Sequence, residues 1–222
     1  VFACHDAGEL RIVNVTNPSN PFEVARYSGG LSILHDVYVR DNLAFVSHWD
    51  VGLVILDVGN AIAGGSPGSP VEVSRLDLAE GRVHNAWYWP ARGLVFVGHE
   101  GPGSVFNRLS SGLISVIDVS DLHDPQRVAT FRLPDAGPHN FWVVEDAGVL
   151  YSAYYNAGLL AIDVNGPLLG ELDRQGRLID RVQPGGDGNT FVWAPQVVEP
   201  GLVFLSDMIS GLWAVEVTGP GP

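Results

Sequence analysis

The residues in this sequence best suited to chemistry are its histidines, because six of the seven recur at two kinds of position. One kind opens a short apolar segment and is occupied by His35, His84 and His139, followed by Thr190. The other kind closes a short apolar segment and is occupied by His5, His48, His99, Tyr154 and Asp207. Neutral imidazole is a good ligand for zinc, copper, iron and nickel. If the fold brings these positions together, they favour a metal or ligand site.

The segments that must position the histidines belong to a repeat of roughly 45 residues. One type of segment begins with glycine, continues with β-branched and other apolar residues, and ends with an acidic or amide residue. It covers residues 8–15, 52–58, 112–119, 158–164 and 211–217. A second type comes before it and alternates aromatic with small residues on one strand face, which suits packing between sheets. It covers residues 1–5, 44–48, 95–99, 150–154 and 203–207.

Two further segment types complete the repeat. The third opens with the histidines and covers residues 35–39, 84–88, 139–143 and 190–194. The fourth is more variable and covers residues 23–27, 71–76, 127–133 and 178–182. Four short strands per repeat are typical of a propeller blade, so we predict an all-β fold, a β-propeller of four-stranded blades. From axis to rim, strand A is the third type, B the second, C the first and D the fourth.

About five blades are visible in the sequence, and we expect them to form a single domain over residues 1–222. The predicted blades cover approximately residues 1–28, 35–78, 84–133, 139–182 and 190–217. The first blade lacks strand A and the last lacks strand D, so we expect the chain to be truncated at its N-terminus. Either five blades close a ring with one incomplete, or further blades complete it. Two insertions interrupt the period, a Gly/Ser/Pro loop at residues 61–70 and a Gly-rich loop at residues 101–111.

In such a blade the start of strand A and the end of strand B lie at the same end, next to the axis. We therefore predict a site at the axial mouth for a transition metal, with zinc, copper and iron as the candidates. Its expected ligands are His35, His84, His139, His48, His99 and His5. The residues expected to contact a ligand or partner are Trp49, Asp50, Glu100, Tyr154 and Asp207. Two alternatives stay open, because such histidines also lock blades through hydrogen bonds or sense pH.

The segments Gly52–Val58 and Gly112–Val119, with the Asn-Pro and Asp-Pro turns that follow strands of type C, resemble the LVIVD-repeat family of bacterial β-propellers. The resemblance spans essentially the whole chain. It implies a protein that is exported from a bacterium, whether periplasmic, surface-bound or secreted. The motif is informative about the fold and carries little information about activity.

Charge and composition exclude several classes of function. The formal net charge is −13, and all 12 basic residues are arginine. An acidic surface repels nucleic acid and anionic lipid. No segment is long and apolar enough to cross a membrane, so membrane anchoring would require residues before Val1. Cys4 is the only cysteine, and its place in the repeat favours a small core residue.

Two functions remain. The first is a non-catalytic, exported binding or scaffold module for a protein or other partner, with a metal at the axial mouth as an open possibility. The alternative is a metal-dependent enzyme, an oxidoreductase or lyase, with a His-lined axial site. The sequence contains no P-loop, HExxH or CxxC motif. This lack of catalytic motifs favours the binding module.

Overall fold

The computed structural model describes residues 1–5, 8–30, 32–104, 109–199 and 201–217. Over this part of the chain it is an all-β protein with strands arranged in five sheets. The helical segments found there are two short 3₁₀ turns, Pro90–Arg92 and Leu172–Gln175. None of the helices in these ranges has the length and apolar character needed to span a membrane.

The first two sheets follow the chain order of their strands. The first contains β1 (Phe2–His5), β2 (Glu9–Asn14) and β3 (Phe22–Ser28) in the order β1-β2-β3. The second contains β4 (Asp36–Arg40), β5 (Leu43–His48), β6 (Gly52–Asp57) and β7 (Val71–Leu76) in the order β4-β5-β6-β7. This second sheet has the predicted A-B-C-D order, and its neighbouring strands are antiparallel.

The remaining three sheets repeat the arrangement. One contains β8 (Val83–Trp89), β9 (Leu94–Ser104), β10 (Leu109–Asp118) and β11 (Gln126–Phe131), to which the short strand β15 (Gly170–Glu171) adds in parallel beside β11. The next contains β12 (Phe141–Val144), β13 (Val149–Ala153), β14 (Leu159–Asp163) and β16 (Leu178–Val182). The last contains β17 (Val192–Glu199), β18 (Leu202–Asp207) and β19 (Gly211–Glu216). The all-β class is confirmed, whereas the number of blades and their domain boundaries stay predictions.

The strands form two compact units. Unit 1 contains residues 1–97 and 117–127, and unit 2 contains residues 98–116 and 128–222. In unit 1, one buried cluster joins the second and third sheets, with Phe45, Leu53 and Ile55 fully buried, and another joins the first and second sheets and includes Leu10. In unit 2, a smaller core holds buried Ala153, Val192 and Leu205. Each unit is described by itself below.

A glycine leads every strand of type C, and the structure shows why. These leading glycines have φ values between +77° and +136°, a region that glycine enters without strain. They are Gly8, Gly52, Gly112, Gly158 and Gly211. At Gly52 an added Cβ would also lie 2.1 Å from the carbonyl oxygen of Leu76, at the end of the outer strand β7. The glycine therefore allows the chain both to turn into the strand and to approach the strand outside it.

An acidic or amide side chain closes strands of type C by accepting a backbone N–H two residues later. The N–H groups of Thr16 and Asn165 donate to Asn14 and Asp163 at 2.8 and 2.9 Å. These are Asx turns, in which the side chain imitates a backbone turn and ends the strand.

Asp57 extends this pattern into a cap for the whole insertion that follows β6. Its buried carboxylate accepts N–H bonds from Gly59, Ala61, Ile62 and Ala63 at 2.6 to 3.1 Å. The Asn60 N–H then donates to the Gly65 carbonyl, and the loop ends in paired bonds between Ser66 and Ser69. The Gly/Ser/Pro composition thus forms an ordered loop whose bonds converge on Asp57.

Cys4 lies where its place in the repeat predicts. Its side chain packs beside a buried cluster that includes Leu10, Leu34 and Val46. Burial, together with the negative charge of Asp36, raises the pKa of the Cys4 thiol to about 12. The thiol is therefore protonated at neutral pH and behaves as a small core group.

Candidate functional site

The two histidine positions of the repeat are joined by backbone hydrogen bonds. In unit 1 the His35 N–H donates to the carbonyl of Ser47, the residue before His48, at 2.9 Å. In unit 2 the His139 N–H donates to the carbonyl of Ala153, the residue before Tyr154, at 2.8 Å. The start of strand A and the end of strand B therefore lie side by side in these two sheets, as the repeat predicts.

Two of the predicted metal ligands lie against each other in unit 1. The His35 and His84 ring centroids are 4.1 Å apart, and Trp49 stacks on His35 at 5.3 Å. The contact is positioned by an antiparallel bridge in which the Val83 N–H donates to the Trp49 carbonyl at 2.9 Å. His35 is exposed and His84 is buried, so the pair is accessible to solvent at His35 and enclosed by protein at His84. Two imidazoles so placed can supply two ligands to a transition metal, and Trp49 can cover the first of them.

Two other predicted residues of unit 1, Asp50 and His5, are exposed. Asp50 is exposed, and its backbone N–H donates to the Ser32 hydroxyl at 3.3 Å. His5 ends β1 on the surface. Asp50 is therefore a solvated carboxylate in the turn after β5, available to a partner or ligand.

His48 is fully buried, and neither of its ring nitrogens has a hydrogen-bond partner among the described residues. Its ring lies against the backbone of Gly29, where an added Cβ would be 2.9 Å from the ring carbon Cδ2. Burial, with a smaller effect from the nearby Arg75 guanidinium, lowers the pKa of His48. His48 is therefore a neutral imidazole packed under a glycine segment.

In unit 2 the predicted residue Glu100 has a partner that the sequence did not suggest. The buried Tyr155 hydroxyl donates to the Glu100 carboxylate. Burial first, and then Glu100, raises the pKa of Tyr155 far above its ordinary value. The hydroxyl therefore stays protonated and serves as a permanent donor to the carboxylate.

His139 and His99 are held by neighbours in unit 2. The His139 Nδ1 lies 2.6 Å from the Trp193 carbonyl oxygen, and the two rings are 3.8 Å apart. The His99 Nε2 lies 2.9 Å from the Ser115 hydroxyl, and both residues are buried. These contacts fit the alternative in which histidines lock the sheets.

Tyr154 and Asp207, the last two predicted contact residues, are both buried. Tyr154 packs edge-on against Phe131 at 6.2 Å. The Asp207 carboxylate accepts N–H bonds from Phe191, Ile209 and Ser210 at 2.7 to 2.8 Å. Asp207 thus stabilises the turn between β18 and β19, because its carboxylate accepts backbone N–H groups of that turn.

The predicted Gly-rich loop at residues 101–111 has a different form. Strands β9 and β10 continue through most of it, reaching Ser104 and starting again at Leu109. Residues 105–108, where the prediction placed the middle of the loop, lie outside the described residues. Residues 101–104 and 109–111 therefore lie in two neighbouring strands of one sheet in spite of a loop-like composition, and β9 together with β10 is called the hairpin below.

Hydrogen bonds between four residues that the sequence reasoning missed hold this hairpin in unit 2. The Ser110 hydroxyl donates to the Asn156 side chain, and the Gly137 N–H donates to Ser110 Oγ at 2.9 Å. The Asn156 amide also donates to the Asp135 carbonyl at 2.8 Å. The signal that could have found Tyr155 and Asn156 is their position directly after Tyr154, in the B–C turn that holds Trp49 and Asp50 in the second sheet.

The sequence matches the LVIVD repeat over residues 4–29 and 34–77. No curated protein matches it. Similar solved structures include Sqt1 of Chaetomium thermophilum bound to the N-terminus of the ribosomal protein L10, at 15% identity and a TM-score of 0.70, covering 99% of this chain and 56% of Sqt1. The computationally designed protein Ika8 is similar at 11% identity and a TM-score of 0.65, with coverage of 99% and 56%.

The chain thus spans just over half the length of Sqt1 and Ika8. The smaller designed protein Ika4 is similar at 10% identity and a TM-score of 0.58, covering 85% of this chain and 94% of Ika4. At these identities the likeness concerns the fold alone. Residues 4–29 and 34–77 match the LVIVD repeat, and the chain has an all-β fold similar to that of these β-propeller-like structures.

Proposed function

We propose that this chain is a non-catalytic, protein-binding β-propeller module whose contact element is the hairpin of β9 and β10. The observation that carries the proposal is the length of this hairpin together with its fixed base. Strand β9 has 11 residues and β10 has 10, whereas β5 and β6 have six each. Five additional residues extend a strand by about 16 Å.

The base of the hairpin is held by side chains of unit 2, so its direction is set before any partner arrives. Glu100 on β9 accepts from Tyr155, and Ser110 on β10 bonds to Asn156. A contact element that is already ordered loses little conformational entropy on binding, which favours affinity. Leu109, the first residue of β10, has 54% of its surface exposed, which suits an apolar contact.

A cleft of about 500 Å³ lies beside this base and adds charge to the surface. Its lining includes Arg132, Asp135, Asp173 and Arg174. Because both signs of charge are present, the cleft favours a partner that has charged and polar groups next to the apolar group that contacts Leu109. Sqt1, whose fold is similar, binds the N-terminus of a ribosomal protein. That precedent supports a protein as the partner class.

The test is site-specific photocrosslinking in cells that produce the natural protein. A photoreactive phenylalanine analogue replaces Leu109, and the matched control carries it at Leu169, another exposed leucine of unit 2. We expect a reproducible protein adduct from position 109 and none from position 169. Adducts of equal yield from both positions, or from neither, would contradict the proposal.

A second candidate is a transition-metal site, favoured by the contact between the His35 and His84 rings. Zinc, copper or iron bound there would be consistent with the alternative function, a metal-dependent oxidoreductase or lyase. The test is metal analysis of protein purified without chelator, compared with His84→Ala and with His123→Ala as the control on an exposed turn. Stoichiometric metal lost only in His84→Ala supports this candidate. Metal-free wild-type protein would rule it out.

The proposal includes a location outside the cytoplasm, on the strength of the resemblance to the LVIVD-repeat family. Fractionation of the producing cells tests it. The protein is expected in the periplasmic, surface or culture fraction, and a purely cytoplasmic pool would contradict it.

A further inference from the structure

The charged cleft of unit 2 begins two residues along β10 from Leu109, the exposed residue of the proposed contact element. Leu109 and Ser111 are exposed and Ser110 between them is buried, so the two exposed residues share one face of the strand. Residues two apart in a strand are separated by about 7 Å. Ser111 lines the cleft, together with the turn after β11 and the 3₁₀ turn after β15. A segment that contacts Leu109 can therefore continue into the cleft.

Two of the four charges that line the cleft have no partner among the described residues. The Arg132 guanidinium and the Asp135 carboxylate form no ion pair or hydrogen bond there, either with each other or with a third group. The other two charges are engaged. The Arg174 guanidinium lies 2.6 Å from the Glu171 carboxylate, and the Asp173 carboxylate accepts the Arg132 backbone N–H at 3.3 Å. Over the described ranges, the cleft thus offers one cation and one anion to a ligand.

The backbone that carries these two charges is held in place. Asp135 has a φ of +56° and lies in a tight turn, which an antiparallel bridge between Leu133 and Ala136 closes. The Asp135 carbonyl accepts from the Asn156 amide at 2.8 Å, and Asn156 in turn accepts from Ser110 at the base of the hairpin. The turn and the hairpin are therefore braced against each other, so the charges are positioned before a partner binds.

A buried hydroxyl lies beside the same cleft. Tyr154 is fully buried, and its hydroxyl has no hydrogen-bond partner within the described chain. Burial raises the pKa of Tyr154 far above its ordinary value, with smaller effects from the Leu133 backbone, Asp173 and Arg132. Because these three residues line the cleft, the protonated hydroxyl lies next to its wall. The Tyr154 hydroxyl and the Arg132 guanidinium are both hydrogen-bond donors, and donors so placed favour a carboxylate.

We infer that this cleft binds two oppositely charged side chains of one segment of the protein partner. A carboxylate of the segment lies against Arg132, and a basic group lies against Asp135. The inference rests on the proposed protein-binding function and names the chemistry of the bound segment, which has an apolar residue at Leu109 and an acidic and a basic residue in the cleft. Complementary charges of this kind mainly determine the register and the choice of partner.

The experiment exchanges the two charges of the cleft without changing the charge of the whole chain. The exchange variant combines Arg132→Asp with Asp135→Arg, so its formal net charge stays at −13. It carries the photoreactive phenylalanine analogue at position 109, and the yield of the protein adduct in cells is compared with that of the unexchanged chain. The matched control combines Arg181→Asp with Asp187→Arg, at two exposed positions of unit 2.

Two single variants separate the loss of a charge from any change in folding. Asp135→Asn removes the carboxylate and keeps a residue type that tolerates the positive φ of this position. Arg132→Gln removes the guanidinium and keeps a hydrogen-bonding side chain. Their matched controls are Asp187→Asn and Arg181→Gln, and urea denaturation establishes that every variant is folded.

We expect the adduct yield from position 109 to fall about tenfold in the exchange variant, because each charge of the partner then meets a like charge. Each single variant should lower the yield about threefold, as the loss of one exposed ion pair does. The control variants should leave it unchanged. An unchanged yield in the exchange variant or in either single variant, or equal losses in the controls, would overturn the inference and leave the proposed function standing. If the unexchanged chain forms no adduct from position 109, the proposed function fails and the inference fails with it.

Discussion

The Tyr155 hydroxyl donates a hydrogen bond to the Glu100 carboxylate, across 55 positions of sequence and with both side chains buried in unit 2. Tyr155 follows the predicted contact residue Tyr154, and Glu100 lies on the hairpin that we propose as the contact element. The pair therefore links the turn between β13 and β14 to the base of the hairpin of β9 and β10.

Tyr155→Phe should destabilise unit 2 because it removes a donor from a buried carboxylate. Loss of a hydrogen bond to a charged group costs about 1.5–3 kcal/mol. We expect that decrease in the free energy of unfolding, measured by urea denaturation. Tyr151→Phe, at a half-buried tyrosine of the same unit, is the control and should change stability by less than about 1 kcal/mol. Equal losses in the free energy of unfolding of both variants would contradict a specific stabilising role for the hydrogen bond between Tyr155 and Glu100.

Asp57→Asn should loosen the loop after β6 and change the response of unit 1 to acid. Burial alone would raise the pKa of Asp57, but N–H bonds from Ile62, Ala61, Ala63 and Gly59 outweigh it and lower the pKa well below its usual range. Because the folded-state pKa is depressed, the carboxylate stabilises the fold above the unfolded-state pKa, near 4. That contribution is lost as the pH falls further.

We therefore expect Asp57→Asn to cost about 3 kcal/mol at pH 7, the order of the charged hydrogen bonds it weakens. The deficit should shrink below about pH 4, where the Asp57 carboxylate of the unfolded wild-type chain takes up a proton and the folded state loses its advantage. Urea titrations between pH 7 and pH 3 measure this. Asp77→Asn, at an exposed position, is the control. A deficit that is the same at every pH would contradict the role of the charge.

Gly52→Ala and Gly211→Ala form a matched pair that separates backbone strain from steric overlap. Both glycines have positive φ, but only Gly52 faces a carbonyl oxygen at 2.1 Å from the added Cβ. We expect a loss of about 1–2 kcal/mol for Gly211→Ala, from the left-handed backbone alone. Gly52→Ala should lose clearly more, at least about 4 kcal/mol, because β7 must also move. Thermal or urea unfolding measures both losses of stability. Equal losses in the two variants would argue against a steric overlap at Gly52.

His48→Leu tests whether the buried imidazole contributes to stability. Its nitrogens have no partner among the described residues, so an apolar side chain of similar volume should leave stability at pH 8 unchanged or raise it by about 1 kcal/mol. The folded-state pKa of His48 is lowered, so the unfolded chain binds more protons below about pH 6.5. The wild type should therefore lose stability on acidification through that range, and the variant should lose less.

The measurement for His48 is the free energy of unfolding at pH 8, 6.5 and 5.5, with His123→Leu as the exposed control. A strong loss of stability in His48→Leu at pH 8 would show that the imidazole has a partner, such as a bound ligand, which the chain itself does not provide.

The features predicted well from the sequence are those set by neighbouring residues. A leading glycine, alternating apolar residues and a closing Asp are local signals, because they depend on φ, on side-chain direction and on an Asx turn. Strand β6, from Gly52 to Asp57, therefore lies where the repeat placed it. The adjacency of His35 and His48 followed from the hairpin between strands A and B.

The site could be predicted only in part, because side-chain partners come from distant residues. The sequence identifies Glu100 as a polar residue near a histidine, but its donor Tyr155 is supplied by a later sheet. Asp207 is predicted to contact a ligand or partner, yet its carboxylate accepts N–H bonds from Ile209 and Ser210 in its own turn and from Phe191 just before β17. The hairpin was missed because Gly-Pro-Gly composition indicates a loop, whereas pairing with β10 overrides that local preference.

The cap formed by Asp57 also defines a position where the chain tolerates added sequence. The bonds from Gly59 to Ala63 close the base of the loop, while Gly64 and Gly68 have open space around them. Strands β6 and β7 are held together independently of the loop tip by their own ladder. An epitope tag or a reporter domain inserted next to Gly68 would therefore extend into solvent and leave both strands in register, which provides a labelling position for the binding experiments.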